Sequence, residues 1–248
     1  MTLLTVVKDV CSVVGVTQPA SVFSNILNNR TMQEMLSLAN EMARRIAYDT
    51  REWNALKQNW IFDGDGVKEA FDLPVNFQRM LKTAQVWRST STMQPMTFYP
   101  DFDEWQQRRA ANYIDAWGEW TMYGGQMHIW PIMAAAVAIP PSSPAVTARF
   151  SYLDRQCVLL NGVPATRNDA FLNDNDTFRL EERLLKLGMI WQWKANKGSP
   201  YAEDMGNYST ALDMVAGADT PAPIIVGRAP LSTSARVAYP WPSNWGPQ

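Results

Sequence analysis

Glu182-Arg183-Leu184-Leu185-Lys186-Leu187-Gly188-Met189-Ile190-Trp191-Gln192-Trp193-Lys194-Ala195-Asn196-Lys197-Gly198 is the stretch on which the reading of the fold turns. Leu180, Leu184, Leu187 and Trp191 recur at helical spacing. Asp174 and Asp176 before Thr177, with Glu181 and Glu182 behind it, supply the negative start that a helix dipole favours. Lys194 and Lys197 close the helix, and Gly198 is placed to cap it. Ser199-Pro200 then reads as the N-cap and first position of a second helix. Its seam is Tyr201, Met205, Tyr208, Leu212 and Val215, and Gly217 is expected to end it. So short a connection predicts an antiparallel helical hairpin.

Helical pattern is also present at the start of the chain. Leu4, Val7, Val10, Cys11 and Val14 share a face, and Gly15 stops it. Thr31-Met32-Gln33-Glu34 reads as a capping box ahead of the stripe Met35, Leu38, Ala39, Met42 and Ile46, with Arg44 and Arg45 off it. Between these helical ends the period changes. Trp60-Ile61-Phe62, the turn Asp63-Gly64-Asp65-Gly66 and Val67–Leu73 predict a hairpin. Trp120–Tyr123, Gly124-Gly125 and Met127–Trp130 predict another. Val86–Arg88 and Met96–Phe98 are short strand candidates, and Asp101–Ala111 a short polar helix. Val146, Ala148, Phe150 and Tyr152 alternate with polar residues, as a half-buried strand does.

The expected class is therefore α+β: mainly a helical bundle, with a β-rich insertion and an extended C-terminal arm. Residues 1–57 and 174–217 form the helical body, 58–173 the insertion and 218–248 the arm. Residues 221–248 hold six prolines, two arginines and no acid. Proline removes donors and fixes φ, so this arm is expected to be extended. Tyr239, Pro240, Trp241, Pro242 and Trp245, with Arg228 and Arg236, are its candidate partner-binding residues. The aromatic ones are rigid anchors with few rotors to freeze.

Composition limits the function. The 248 residues carry 22 Lys+Arg against 24 Asp+Glu, a net charge of −2, which does not favour a protein that wraps nucleic acid. The two cysteines, Cys11 and Cys157, are too few for a disulfide framework and read as buried thiols of a reducing compartment. The N-terminal run contains Lys8 and Asp9 and lacks a signal-peptide layout. Thr121–Ala148 has no Asp, Glu, Lys or Arg, but Gly124, Gly125, Pro131, Pro140, Pro141 and Pro144 break it, so no membrane span is expected.

No catalytic residue, metal site or cofactor site is assigned. The single histidine, His128, sits in a strand candidate and reads as a strand or interface residue. HExxH, paired CxxC, Walker and GxGxxG patterns are absent. Asn173–Asp176 lacks the glycine and the glutamate of a calcium loop, and helix capping explains it better. Trp105, Trp117, Trp120 and Trp130 raise one alternative, a carbohydrate-binding or glycan-cleaving virion protein, with Asp101, Asp103 and Glu104 as the carboxylates.

Two stretches carry a resemblance. One is Trp60-Ile61-Phe62, a glycine-containing turn, then Phe71-Asp72-Leu73-Pro74-Val75-Asn76-Phe77-Gln78-Arg79. The other, more specific, is Phe150-Ser151-Tyr152-Leu153-Asp154-Arg155, an Asp/Asn-rich loop, Asp176-Thr177-Phe178, Glu182–Gly198 and Tyr201-Ala202-Glu203-Asp204. Over roughly residues 1–216 the chain resembles the head-to-tail adaptor (connector) proteins of tailed bacteriophages. It is similar in layout to the tail tubular adaptors of short-tailed phages. Asn76 and Phe71 depart from the family's usual Asp and Tyr. The resemblance implies a non-enzymatic ring, usually of twelve copies, under the portal protein. Such a ring extends the DNA channel, passes DNA only as cargo and docks a tail or nozzle protein. It implies a place in the virion between head and tail, reached from the host cytoplasm during assembly. C-terminal segments of that family commonly reach the portal.

Overall fold

A computed structural model describes residues 1–24, 29–90, 93–137, 143–164 and 166–219. Among them are five α-helices: α1 (Leu3–Val14), α2 (Arg30–Arg44), α3 (Phe102–Ala110), α4 (Glu182–Asn196) and α5 (Ala202–Asp219). There are also eleven strands: β1 (Lys57–Asp63), β2 (Ala70–Asp72), β3 (Phe77–Met80), β4 (Trp87–Arg88), β5 (Thr97–Phe98), β6 (Glu119–Tyr123), β7 (Gln126–Trp130), β8 (Thr147–Asp154), β9 (Val158–Leu159), β10 (Arg167–Asn168) and β11 (Thr177–Phe178). The expectation of a mainly helical bundle does not hold, because these strands build three sheets beside the helices. The reason lies in strand length. β9, β10 and β11 are two residues long and show no alternation to read, whereas the helices are long enough to display their period.

One hydrophobic core is helical. Leu3, Val6, Val7, Val10 and Cys11 of α1 pack with Met35, Ala39 and Met42 of α2 and Leu184, Leu185 and Met189 of α4. α4 touches α1, α2 and α5, so its buried face is wider than the predicted stripe and includes Gly188, Ile190 and Trp193. At Gly188 an added Cβ would lie 2.5 Å from Met42 Cε, which measures how closely α4 approaches α2. α2 does not use the Thr31 capping box. Asn29 is the N-cap, its side chain accepting the Met32 N–H at 3.3 Å, while Glu34 pairs with Arg30 (3.0 Å) and Lys197 (2.7 Å). α5 starts at Ala202, two residues later than Pro200, and runs through Gly217 to Asp219. Its buried contacts centre on Tyr208 and Ala211, while Tyr201, Met205 and Met214 face outward.

The second core lies between two four-stranded sheets. In the first, β8 is central, with β1 on one side and β3 and β4 on the other. The second has the order β2-β7-β6-β5. Phe62, Trp120, Met127, Ile129, Met133 and Phe150 fill the space between them. Trp60 stacks on Phe62 at 4.0 Å and meets Phe150 edge-on at 5.4 Å. β6 and β7 form the predicted hairpin, with Gly124 (φ +60°) and Gly125 (φ +77°) in the left-handed region that a tight two-residue turn requires.

The predicted hairpin between Trp60–Phe62 and Val67–Leu73 does not form. β1 pairs with β8, and β2 pairs with β7 in the other sheet. Asp63–Gly66 is instead a crossing between sheets: the Gly64 N–H donates to Val146 O at 2.8 Å and the Gly66 N–H to Met133 O at 2.9 Å. A Cβ at Gly64 would sit 2.4 Å from the Met133 carbonyl oxygen. This glycine therefore allows a close backbone approach and does not serve a hairpin turn.

β8 serves both cores, since Phe150 and Tyr152 belong to the sheet core and Leu153 to the helical one. At its end Asp154 is fully buried. Its carboxylate accepts from Arg179 Nη1 (2.7 Å), Arg167 Nη1 (3.3 Å) and the Gln156 N–H (2.9 Å). Arg179 also donates to Ala55 O at 2.7 Å, which ties the segment before β1 to the end of β8. The third sheet, β10-β9-β11, follows directly. Asp174 and Asp176 do not start α4, which begins at Glu182. The buried Asp176 carboxylate accepts the N–H groups of Asn161, Leu172 and Asn173 at 2.6–2.9 Å. The Asp176 and Asp174 carbonyls accept from the Leu3 and Leu4 N–H groups at 2.8 and 3.1 Å. This loop thus satisfies orphan donors at the N-terminus of α1. Among the described residues no helix is long and apolar enough to cross a membrane.

Candidate assembly surface

The seven arm residues expected to bind a partner, Arg228, Arg236, Tyr239, Pro240, Trp241, Pro242 and Trp245, lie outside the described residues. The point from which that segment departs is described. At the end of α5, Asp219 accepts the Asn54 N–H at 3.1 Å and pairs with Arg51 at 3.6 Å.

Exposed apolar side chains recur from β5 to the segment just before β6. Phe98, Phe102, Tyr113 and Ile114 are each half exposed, and Trp117 about a third. Their support is rigid. The Arg108 guanidinium lies between the Tyr99 and Tyr113 rings, 4.4 and 4.2 Å from their centroids. It also donates to the fully buried Glu119 carboxylate through Nε (3.0 Å) and Nη2. That hydrogen bond pushes the Arg108 pKa further above its ordinary value, so the guanidinium stays charged. Arg109 forms a second fork with Glu69, at 2.8 and 3.3 Å, and stacks over Trp130 at 3.2 Å. The Trp130 indole donates to Tyr113 O at 2.9 Å, and Asp115 accepts from Thr97 Oγ1 at 2.9 Å. α3 and the loop after it are therefore pinned to the sheet from both sides, and the exposed rings project from a fixed base. Apolar side chains presented rigidly in this way match the composition of protein contact surfaces.

The four tryptophans considered for a sugar platform do not line one surface. Trp105 and Trp120 are buried, Trp130 is covered by Arg109, and only Trp117 belongs to the exposed run. Asp101 caps α3 by accepting the Asp103 N–H at 2.9 Å, and Asp103 and Glu104 lie in its first turn. His128 is buried in β7 and stacked on Tyr123 at 3.7 Å, with the rings 9° from parallel. Burial lowers its pKa below the ordinary value, and the Glu69 charge opposes this. Both thiols are buried, and desolvation raises Cys157 to about 11.

Sequence reasoning passed over Arg108, Arg109, Glu69 and Glu119. Arg108-Arg109 at the end of a polar helix was a usable signal, but the partners lie in strands distant in sequence. No family model matches the chain, and no curated protein matches it.

Proposed function

We propose that the chain is a structural, non-enzymatic subunit of a tailed-phage virion: a head-to-tail adaptor that assembles as a ring under the portal, extends the DNA channel and docks the tail. The reading is carried by the sequence of Phe150–Asp204, whose residues resemble that family. Two physical features support it. The exposed apolar side chains from Phe102 to Trp117 stand on an ion-paired base, which suits a contact with a neighbouring copy. The near-neutral charge suits a wall past which DNA slides without being gripped.

The aromatic end of the C-terminal segment, Tyr239 to Trp245, is the portal-binding part. The test is co-sedimentation of the chain with portal protein, comparing the full chain with one ending at Asp219. The shortened chain is expected to keep its fold and lose most of its attachment. Equal attachment of the two would overturn the role of the arm. A cut after Gly217 is a poorer variant, since it also removes Asp219 and its bonds to Asn54 and Arg51.

A further inference from the structure

A groove of about 590 Å³ runs between β3, at the edge of the first sheet, and the β5–β6 side of the second. Met80, Met96, Phe98, Trp120 and Met122 supply its apolar lining. Arg79, Lys82 and Gln85 stand along it. β3 pairs only with β8, so its other side is an open edge within the described residues. An apolar floor and an open edge are together what an extended apolar segment fills.

The structure also shows where such a segment begins. Asp219 is bonded to Asn54, two residues from Glu52. Glu52 accepts the Lys82 N–H at 2.9 Å and pairs with Arg79 at 2.6 Å, and both residues line the groove. Each link is a hydrogen bond, a side chain or two residues of chain, so Asp219 lies within about 20 Å of the groove. The sequence that follows is Thr220-Pro221-Ala222-Pro223-Ile224-Ile225-Val226-Gly227. Pro221 and Pro223 cannot continue α5 and favour an extended chain. Ile224 to Val226 lie five to seven residues beyond Asp219, a reach of about 16–23 Å when extended. These β-branched residues suit a strand at a sheet edge.

We propose that Ile224, Ile225 and Val226 of the same molecule dock as an extended segment in the groove between β3 and the β5–β6 edge. The tether favours this occupant over a separate chain, because a short linker holds it near the groove at high effective concentration. Docking anchors the proximal arm on its own body. Tyr239 to Trp245 are then carried outward on a further stretch that spans about 40 Å when extended. The inference does not depend on the phage reading.

The test uses the full chain carrying Gln85→Cys and Gly227→Cys, treated with a short bismaleimide. Cys11 and Cys157 are fully buried and do not compete. The control pairs Gly227→Cys with Ser199→Cys at the far end of α5, which is 18 residues long. An intramolecular link between 85 and 227 is expected to form roughly tenfold faster than in the control. Adding Ile225→Asp, which alters only the tail, is expected to bring the rate down to that of the control. Equal rates for the two pairs, or no effect of Ile225→Asp, overturn the proposal. Cross-links found only between chains overturn it as well and assign the groove to a neighbouring copy.

Discussion

Asp154→Ala removes the carboxylate that joins the two cores. Asp154 is 0% exposed, and its partners Arg179 and Arg167 are 7% and 34% exposed. Arg167 regains water after the substitution, so its loss is minor. Arg179 does not; it is left as a buried charge, the circumstance in which breaking an ion pair costs about 3–5 kcal/mol. It keeps the carbonyls of Ala55 and Gln156 as acceptors, which places the cost near the lower end. The Gln156 N–H also loses its acceptor, adding on the order of 1 kcal/mol. A total near 3–4 kcal/mol corresponds to a fall in Tm of about 6–16 °C for a chain of this size. Thermal unfolding followed by far- and near-ultraviolet circular dichroism measures it. Asp154→Asn retains an acceptor for Gln156 and should lose about half as much. Asp154→Ala with Arg179→Met removes the stranded charge and should recover at least about 1 kcal/mol relative to additivity. A Tm change below about 2 °C for Asp154→Ala, or strict additivity in the double variant, would refute the reasoning.

Gly64→Ala and Gly188→Ala should differ, although both introduce one methyl. At Gly64 the new Cβ meets the Met133 backbone, which cannot yield without moving the sheet crossing, so urea denaturation should show a loss of about 1–3 kcal/mol. At Gly188 it meets the end of the flexible Met42 side chain, and the gain of about 1 kcal/mol in helix propensity offsets the crowding; a change within about 1 kcal/mol is expected. The only histidine gives a clean pH signature. His128 has a folded pKa below its ordinary 6.5, so the unfolded chain binds the proton more readily. Its contribution to stability is complete above the unfolded value and falls as pH drops through 6.5 toward the folded value. His128→Phe, which keeps the stack on Tyr123, should make the denaturation midpoint flatter between pH 7 and 5; an unchanged slope would refute the assignment.

The elements legible in the sequence are those whose determinants are local. The β6–β7 hairpin follows from Gly124-Gly125 between two apolar runs, and α1 from its stripe and Gly15. The path of Asp63–Gly66 is not legible, because two glycines beside strand-like residues fit a hairpin equally well. The fact that decides it, the backbone of Met133 against Gly64, comes from far along the chain. Asp174 and Asp176 are ambiguous for a similar reason. Their position before a helix fits capping of that helix, whereas their carbonyls serve α1 at the opposite end of the sequence. Of the exposed body side chains, Trp117 stands out in the sequence only as one of four tryptophans. The Arg108–Glu119 and Arg109–Glu69 pairs that stiffen its surroundings depend on strand pairing that periodicity does not encode.

The proposed place in a head-to-tail ring is tested most directly by electron microscopy of the purified virion. Density for this fold, with its helical core and paired sheets, is expected in a ring between portal and tail, with the end of each C-terminal segment against the portal. Density for the chain elsewhere in the particle, or its absence from the head–tail junction, would contradict the account.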